Sequence, residues 1–259
     1  LKPMKRIFIF ALVAVCAATE AFAWGGKGHD VVAYVAECHL SRRAAKRITK
    51  ILDGHSPVYY ANWMDNASHT PEYAHTSTWH YANVDEGYTY ETMPRNEKGD
   101  VVTALNDIVS RLRRGGLTHE EENTALRMLI HLMGDLHCPM HAGHKSDLGG
   151  NTVEIEFFGE PTRLHTVWDT HLVEAAHKWG YTEWQREIDR LAKRDRQAVC
   201  EGSIEDWFAE TVDICGRVYE EIPAGTNLSY DEVARYAPLI EEQLLKGGLR
   251  LAAILNSIY

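Results

Sequence analysis

The chain has 259 residues, 45% of them apolar and 25% charged, which is enough for a sizeable core and excludes a disordered or low-complexity class. Its formal net charge is −10, from 37 Asp and Glu against 27 Lys and Arg. That balance argues against nucleic-acid binding through a basic patch, so a polyanionic substrate would have to be met by bound metal.

Residues 1–23 read as a secretory leader. Lys5 and Arg6 precede an apolar run over 7–18, too short to span a bilayer, and Ala21-Phe22-Ala23 forms an A-x-A cleavage site. Cleavage between Ala23 and Trp24 is expected, with export to the periplasm or the extracellular space. The leader carries three cations and one anion, so the remaining chain stands at −12. No later stretch is long and apolar enough to span a membrane. Export permits disulfides, and Cys38, Cys138, Cys200 and Cys215 allow three pairings that spacing does not resolve.

Helical spacing dominates the rest of the chain. The pattern predicts helices over 29–40 and, capped by Ser41, to about Leu52, with a short one over 59–67. Residues 68–99, rich in His, Tyr, Pro, Asn and Gly, predict a long irregular excursion, and loops of that length are usually functional. Asp100 caps a helix that ends before Gly115, and Thr118 with Glu121 forms a capping box for a long helix through Asp135. Residues 151–158 alternate Val153, Ile155 and Phe157 with Glu154 and Glu156, the pattern of a short strand or hairpin. Further helices are expected over 166–179, 182–195 and 203–221, and from Ser229 onward with a break at Gly247-Gly248. No linker divides them, so one mainly α domain is expected over 24–259.

The chemistry concentrates in a few short motifs. His131 and Asp135 are four residues apart and share a helix face. Pro139 then breaks the helix and His141 follows. The same i, i+4 pairing recurs at His165 and Asp169. Upstream, Trp79-His80-Tyr81 and Trp63-Met64-Asp65 frame a further His and a further Asp with aromatics. At Trp24 a free amine of pKa near 7.7–8.0 would chelate a metal together with its own carbonyl, and His29 lies close enough in sequence to join them.

In order, these motifs resemble the secreted zinc nucleases of the S1/P1 type, which share a fold with bacterial zinc-dependent phospholipase C. Gly149-Gly150-Asn151 adds to the match. Motifs cover residues 24–169, and residues 170–259 match by helical character alone. The resemblance implies a single-domain, multi-helix phospholipase C/nuclease-like fold and three zinc ions. Asp65, His80, His131 and Asp135 would hold the first. His141, His165 and Asp169 would hold the second. The Trp24 amine and carbonyl, His29 and the other Asp135 oxygen would hold the third. It further implies a zinc-bound hydroxide attacking single-stranded DNA or RNA to leave 5′-phosphate ends, with 3′-nucleotidase activity as an addition and a monomeric enzyme.

Tyr81 and Leu148 match positions that clamp a base, Asn151 is placed to contact phosphate or base, and Lys145 is placed to reach a phosphate. Two positions depart from the pattern. Asn83 stands where an acid is usual, which leaves Asp85 as a substitute, and Cys138 stands where Gln is common. Two alternatives keep the scaffold: a zinc-dependent phospholipase C, against which Asp169 argues because those enzymes carry Glu there, and a non-catalytic zinc-binding protein. His39, His55, His69, His75, His119, His137, His171 and His177 are read as surface or core.

Overall fold

The computed structural model describes residues 24–259. The expected leader and its cleavage site at Ala23 lie outside the described residues. Within them no helix is long and apolar enough to cross a membrane.

The chain builds a mainly helical body. α1 (Gly26–Cys38) leads to α2 (Arg42–Ile51), whose Ser41 cap accepts from Ala44 N at 3.1 Å. Such a cap contributes about 1 kcal/mol. Two short helices, α3 (Pro57–Tyr60) and α4 (Trp63–Ala67), replace the single one expected over 59–67. The excursion from 68 to 99 is a chain of turns with one 3-10 turn at Ala74–Thr76. α5 (Val101–Arg114) starts on the Asp100 cap and stops at Gly115, whose φ of 68° is cheap only for glycine. α6 (His119–Asp135) starts on the Thr118–Glu121 capping box.

After α6 the chain turns through a 3-10 segment, Pro139–Ala142, and then forms a small hairpin. β1 (Glu154–Phe157) pairs antiparallel with β2 (Glu160–Arg163). The two residues between them, Phe158 and Gly159, have φ values of 53° and 80°, the positive-φ turn that suits strand twist. β3 (Asn227–Leu228) adds a parallel pairing to β1.

One helix then carries His165 and Asp169. A helical turn, Leu164–Thr166, widens into a π-helical segment, Val167–His171, and continues as Leu172–Ala176. We number these together as α7. The expected helix over 182–195 is two, α8 (Tyr181–Ile188) and α9 (Lys193–Val199), before α10 (Ile204–Glu221). α11 (Tyr230–Ile258) runs unbroken, which corrects the break expected at Gly247-Gly248. Those glycines serve packing instead. A Cβ on Gly248 would lie 2.4 Å from Val35 Cβ, and one on Gly247 3.3 Å from Val32 Cγ2. They let α1 lie close against α11. α1 and α6 also pack on each other, and α6 on α11, so α6 is embedded along its C-terminal half.

Candidate metal centre

Burial makes the end of α6 unusual. His29, His131, Asp135, His137, His141, His165 and Asp169 are all below 5% exposed. Buried charges and imidazoles of this density survive only when paired or bound to metal.

The first group is the tightest. Asp135 Oδ2 lies 3.0 Å from His80 Nδ1 and 3.3 Å from His131 Nε2. His131 Nε2 lies 3.2 Å from His80 Nδ1 and 3.2 Å from Asp65 Oδ1, and His80 Nδ1 lies 3.9 Å from the same Asp65 oxygen. A tetrahedral zinc with ligands at 2.0–2.1 Å would set its ligand atoms about 3.3 Å apart. Five of the six pairs among these side chains, all but Asp65 with Asp135, stand at 3.0–3.9 Å, near that spacing. They are also mostly acceptors facing acceptors, an arrangement that needs a positive species at its centre. Burial would depress His131, but the Asp135 and Asp65 carboxylates raise it to about 9. Burial likewise opposes ionisation of Asp135, yet His131 and His141 hold its carboxyl well below the usual range.

Backbone carbonyls fix the imidazoles. Nδ1–H donates from His131 to Ala61 O at 2.7 Å, from His165 to Gly149 O at 2.6 Å, and from His141 to His80 O. A ring that donates through Nδ1 turns its Nε2 lone pair inward, as metal ligation requires. His141 Nε2 and Asp135 Oδ1 are buried with no hydrogen-bond partner. These orphaned atoms fit a metal-binding cluster.

The second group lies beside the first. His165 Nε2 is 2.9 Å from Asp169 Oδ2, and His141 Nε2 is 3.8 Å from Asp169 Oδ1. The π-helical widening of α7 contains Asp169, and single π turns recur at functional sites. Cys138 Sγ donates to Asp169 Oδ1 at 2.9 Å. Cys138, His141 and Asp169 are close enough to share one ion. All four described cysteines carry free thiols, two of them, Cys138 and Cys215, buried.

The third group is built on α1. His29 Nε2 lies 3.5 Å from Asp135 Oδ1, and its ring stacks on His131 at 4.0 Å. Burial and the neighbouring His131 lower His29 to about 3, so the ring stays neutral, with a lone pair to offer. Gly134 makes room for it, since a Cβ there would meet His29 Nδ1 at 2.5 Å. Trp24 is fully buried and packs on Gly28, the residue before His29. Gly25 N donates to Asp169 O at 2.6 Å, and a Cβ on Gly28 would lie 2.7 Å from Trp24 Cβ. The start of the described chain is thereby fastened to the segment that carries Asp169.

Next to the cluster, Tyr81, Asn83, Lys145 and Leu148 line one cavity of about 430 Å³, walled opposite by residues 93–98. Leu148 is 63% exposed and left-handed, with φ 57°, an uncommon conformation for a bulky residue that here turns its side chain toward solvent. Asn151 Nδ2 donates to Leu148 O at 2.8 Å and so holds that turn. Asp85 Oδ1 accepts from the backbone N–H of Lys145 at 2.8 Å, which fixes the same loop from the other side. His144 stacks on Tyr219 at 4.0 Å.

His137 faces away from the cluster. Its Nδ1–H donates to Met133 O at 2.8 Å, and its Nε2 accepts from Arg250 Nη1 at 3.0 Å. Sequence reading does not reveal the carbonyl partners, the Cys138–Asp169 contact or the buried Arg250. The nearest signal is Gly134 within the His131–Asp135 stretch, where a small residue is required by the imidazole that packs on it.

The helical scaffold thus buries several neighbouring His, Asp and Cys side chains in groups that could hold a metal ion. Comparison with known proteins identifies the family. Residues 24–259 match the S1/P1 Nuclease family. The chain is 26% identical over 290 residues to Endonuclease 4 of Arabidopsis thaliana, covering 99% of this chain and 96% of that protein. It is 26% identical over 286 residues to Nuclease S1 of Aspergillus oryzae, covering 98% of each. It is 26% identical over 272 residues to Nuclease P1 of Penicillium citrinum, covering 91% of this chain and 98% of that one. The chain belongs to the S1/P1 nuclease family.

Proposed function

We propose that this protein is an exported, zinc-dependent endonuclease that hydrolyses phosphodiester bonds of single-stranded DNA and RNA and leaves 5′-phosphate ends. The observation that carries this reading is the spacing within Asp65, His80, His131 and Asp135, where five of the six donor pairs stand 3.0–3.9 Å apart. Family membership supports the same reading, since relatives are named as nucleases. Three ions are proposed: one in that group, one among His141, His165 and Asp169, and one between His29, Asp135 and the amine and carbonyl of Trp24. The last requires cleavage after Ala23. Imidazole and carboxylate donors suit zinc, and their number leaves room for water.

Zinc bound there lowers the pKa of a water to about 7 and offsets charge on the phosphoryl group. The protein's own residues do the rest. Asp135 offers its two oxygens to different imidazoles, so one carboxylate couples the first and third groups. Tyr81 and Leu148 present an aromatic face and an apolar wall to a base. Base–aromatic stacking contributes about 1–3 kcal/mol, and a base held in a duplex must be unpaired to reach it, so single strands are preferred. Lys145 brings a cation to the phosphate beyond that base. Asn83 can orient a ligand by hydrogen bonding but cannot accept its proton at neutral pH. Asp85 acts through the loop it holds.

Chelator-treated protein should lose hydrolysis of a single-stranded oligonucleotide, and added zinc should restore it, with product ends identified by mass spectrometry. Hydrolysis that persists at full rate without metal would overturn the proposal.

A further inference from the structure

The negative total conceals where the cations lie. α2 carries Arg42, Arg43, Lys46, Arg47 and Lys50 and no acid, and all five are exposed. Its other face, Ala44, Ile48 and Ile51, is buried in the core, so the helix must turn its charges outward. Arg113 stands beside them at the end of α5. Arg43, Lys46, Arg47, Lys50 and Arg113 line one groove of about 590 Å³. Glu122 is the one acidic side chain along it, paired with Arg47 at 2.7 Å.

Leu112, Ile258 and Tyr259 form the rest of the lining, and the Tyr259 ring is partly exposed. Several like charges side by side repel one another, and a polyanion relieves that repulsion while releasing its own counterions. A positively charged groove with an aromatic side chain in it is the usual form of a non-specific single-strand site, with phosphates on the cations and a base on the ring. In a chain of net charge −10, this groove still offers a polyanion five cations against one acidic side chain. α6 joins it to the metal centre: Glu122 lies at the groove and Asp135 at the cluster, 13 residues or about 20 Å along the helix.

We propose that the groove between α2 and the end of α5 is an exosite for the backbone of single-stranded nucleic acid, holding long substrates at a distance from the metal centre. It rests on the nuclease reading above and reverses the expectation, drawn from net charge alone, that no basic patch contributes.

The test compares wild type with the triple variant Arg43→Gln, Lys46→Gln, Lys50→Gln, whose changed side chains are exposed and lie outside the cluster. Binding of a hydrolysis-resistant single strand of about 30 nucleotides, longer than a single ~4–16-nucleotide site, is followed by fluorescence anisotropy across a salt series. Removing three phosphate contacts should weaken binding at least about 10-fold and make the log–log salt slope shallower by about 2. In turnover, KM for the long strand should rise while its kcat, and hydrolysis of a dinucleotide, stay unchanged. Equal affinity and slope in the two proteins would overturn the exosite. So would loss of binding to phosphatidylglycerol vesicles with strand binding intact, which would make the patch a membrane contact. Failure of the nuclease reading shows differently, as absence of hydrolysis of either substrate by the wild type.

Discussion

Asp135→Asn will reduce kcat/KM for a single-stranded substrate by on the order of 10³ or more, a larger loss than replacement of any single histidine of the cluster. The reason lies in what the two carboxylate oxygens face. Oδ2 stands 3.0 Å from His80 Nδ1 and 3.3 Å from His131 Nε2. Oδ1 stands 3.5 Å from His29 Nε2 and 3.7 Å from His141 Nδ1. Asparagine keeps the shape but removes the negative charge and aims N–H donors at one of the two groups. Both proposed ions beside it lose a ligand at once. A histidine such as His165 serves one group only. The measurement is steady-state kinetics alongside metal content, with a melting curve to show that the variant folds. Activity within tenfold of wild type would mean that Asp135 does not join two metal groups.

Blocking the amine of Trp24 should cost almost as much. A protein left with Ala23 attached, or tagged directly before Trp24, has an amide nitrogen with no lone pair to give. Trp24 is fully buried and cannot swing aside, because Gly25 is bonded to Asp169 O and the indole packs over Gly28. The extended form should bind two zinc ions per chain where the processed form binds three, and its turnover should fall at least about 10²-fold. Metal analysis and kinetics on matched preparations check this. A tagged form with three ions and undiminished turnover would remove Trp24 from the site.

Local chemistry made much of this architecture legible. Caps at Ser41, Asp100 and Thr118 mark helix starts because they satisfy specific backbone N–H groups, and all three form the expected bonds. The i, i+4 spacing places His131 beside Asp135 and His165 beside Asp169 for the same short-range reason. What stayed hidden depends on partners distant in sequence. Gly247-Gly248 looks like a helix break until α1 is seen lying against it. The π turn around Asp169 and the split of 182–195 into two helices have no local signature. The carbonyls of Ala61, His80 and Gly149, which set the histidine tautomers, are backbone groups, and the side chain at a position does not announce which imidazole its carbonyl will meet. The basic groove escaped for another reason: a net charge is a sum, and the sum says nothing of how five cations are gathered by one amphipathic helix and its neighbour.

The most direct test is diffraction from crystals of the processed, zinc-loaded protein at energies on either side of the zinc absorption edge. Three anomalous peaks are expected: one among Asp65, His80, His131 and Asp135, one among His141, His165 and Asp169, and one between His29, Asp135 and Trp24. Absence of a peak within the first group would contradict the assignment of a metal centre to the end of α6.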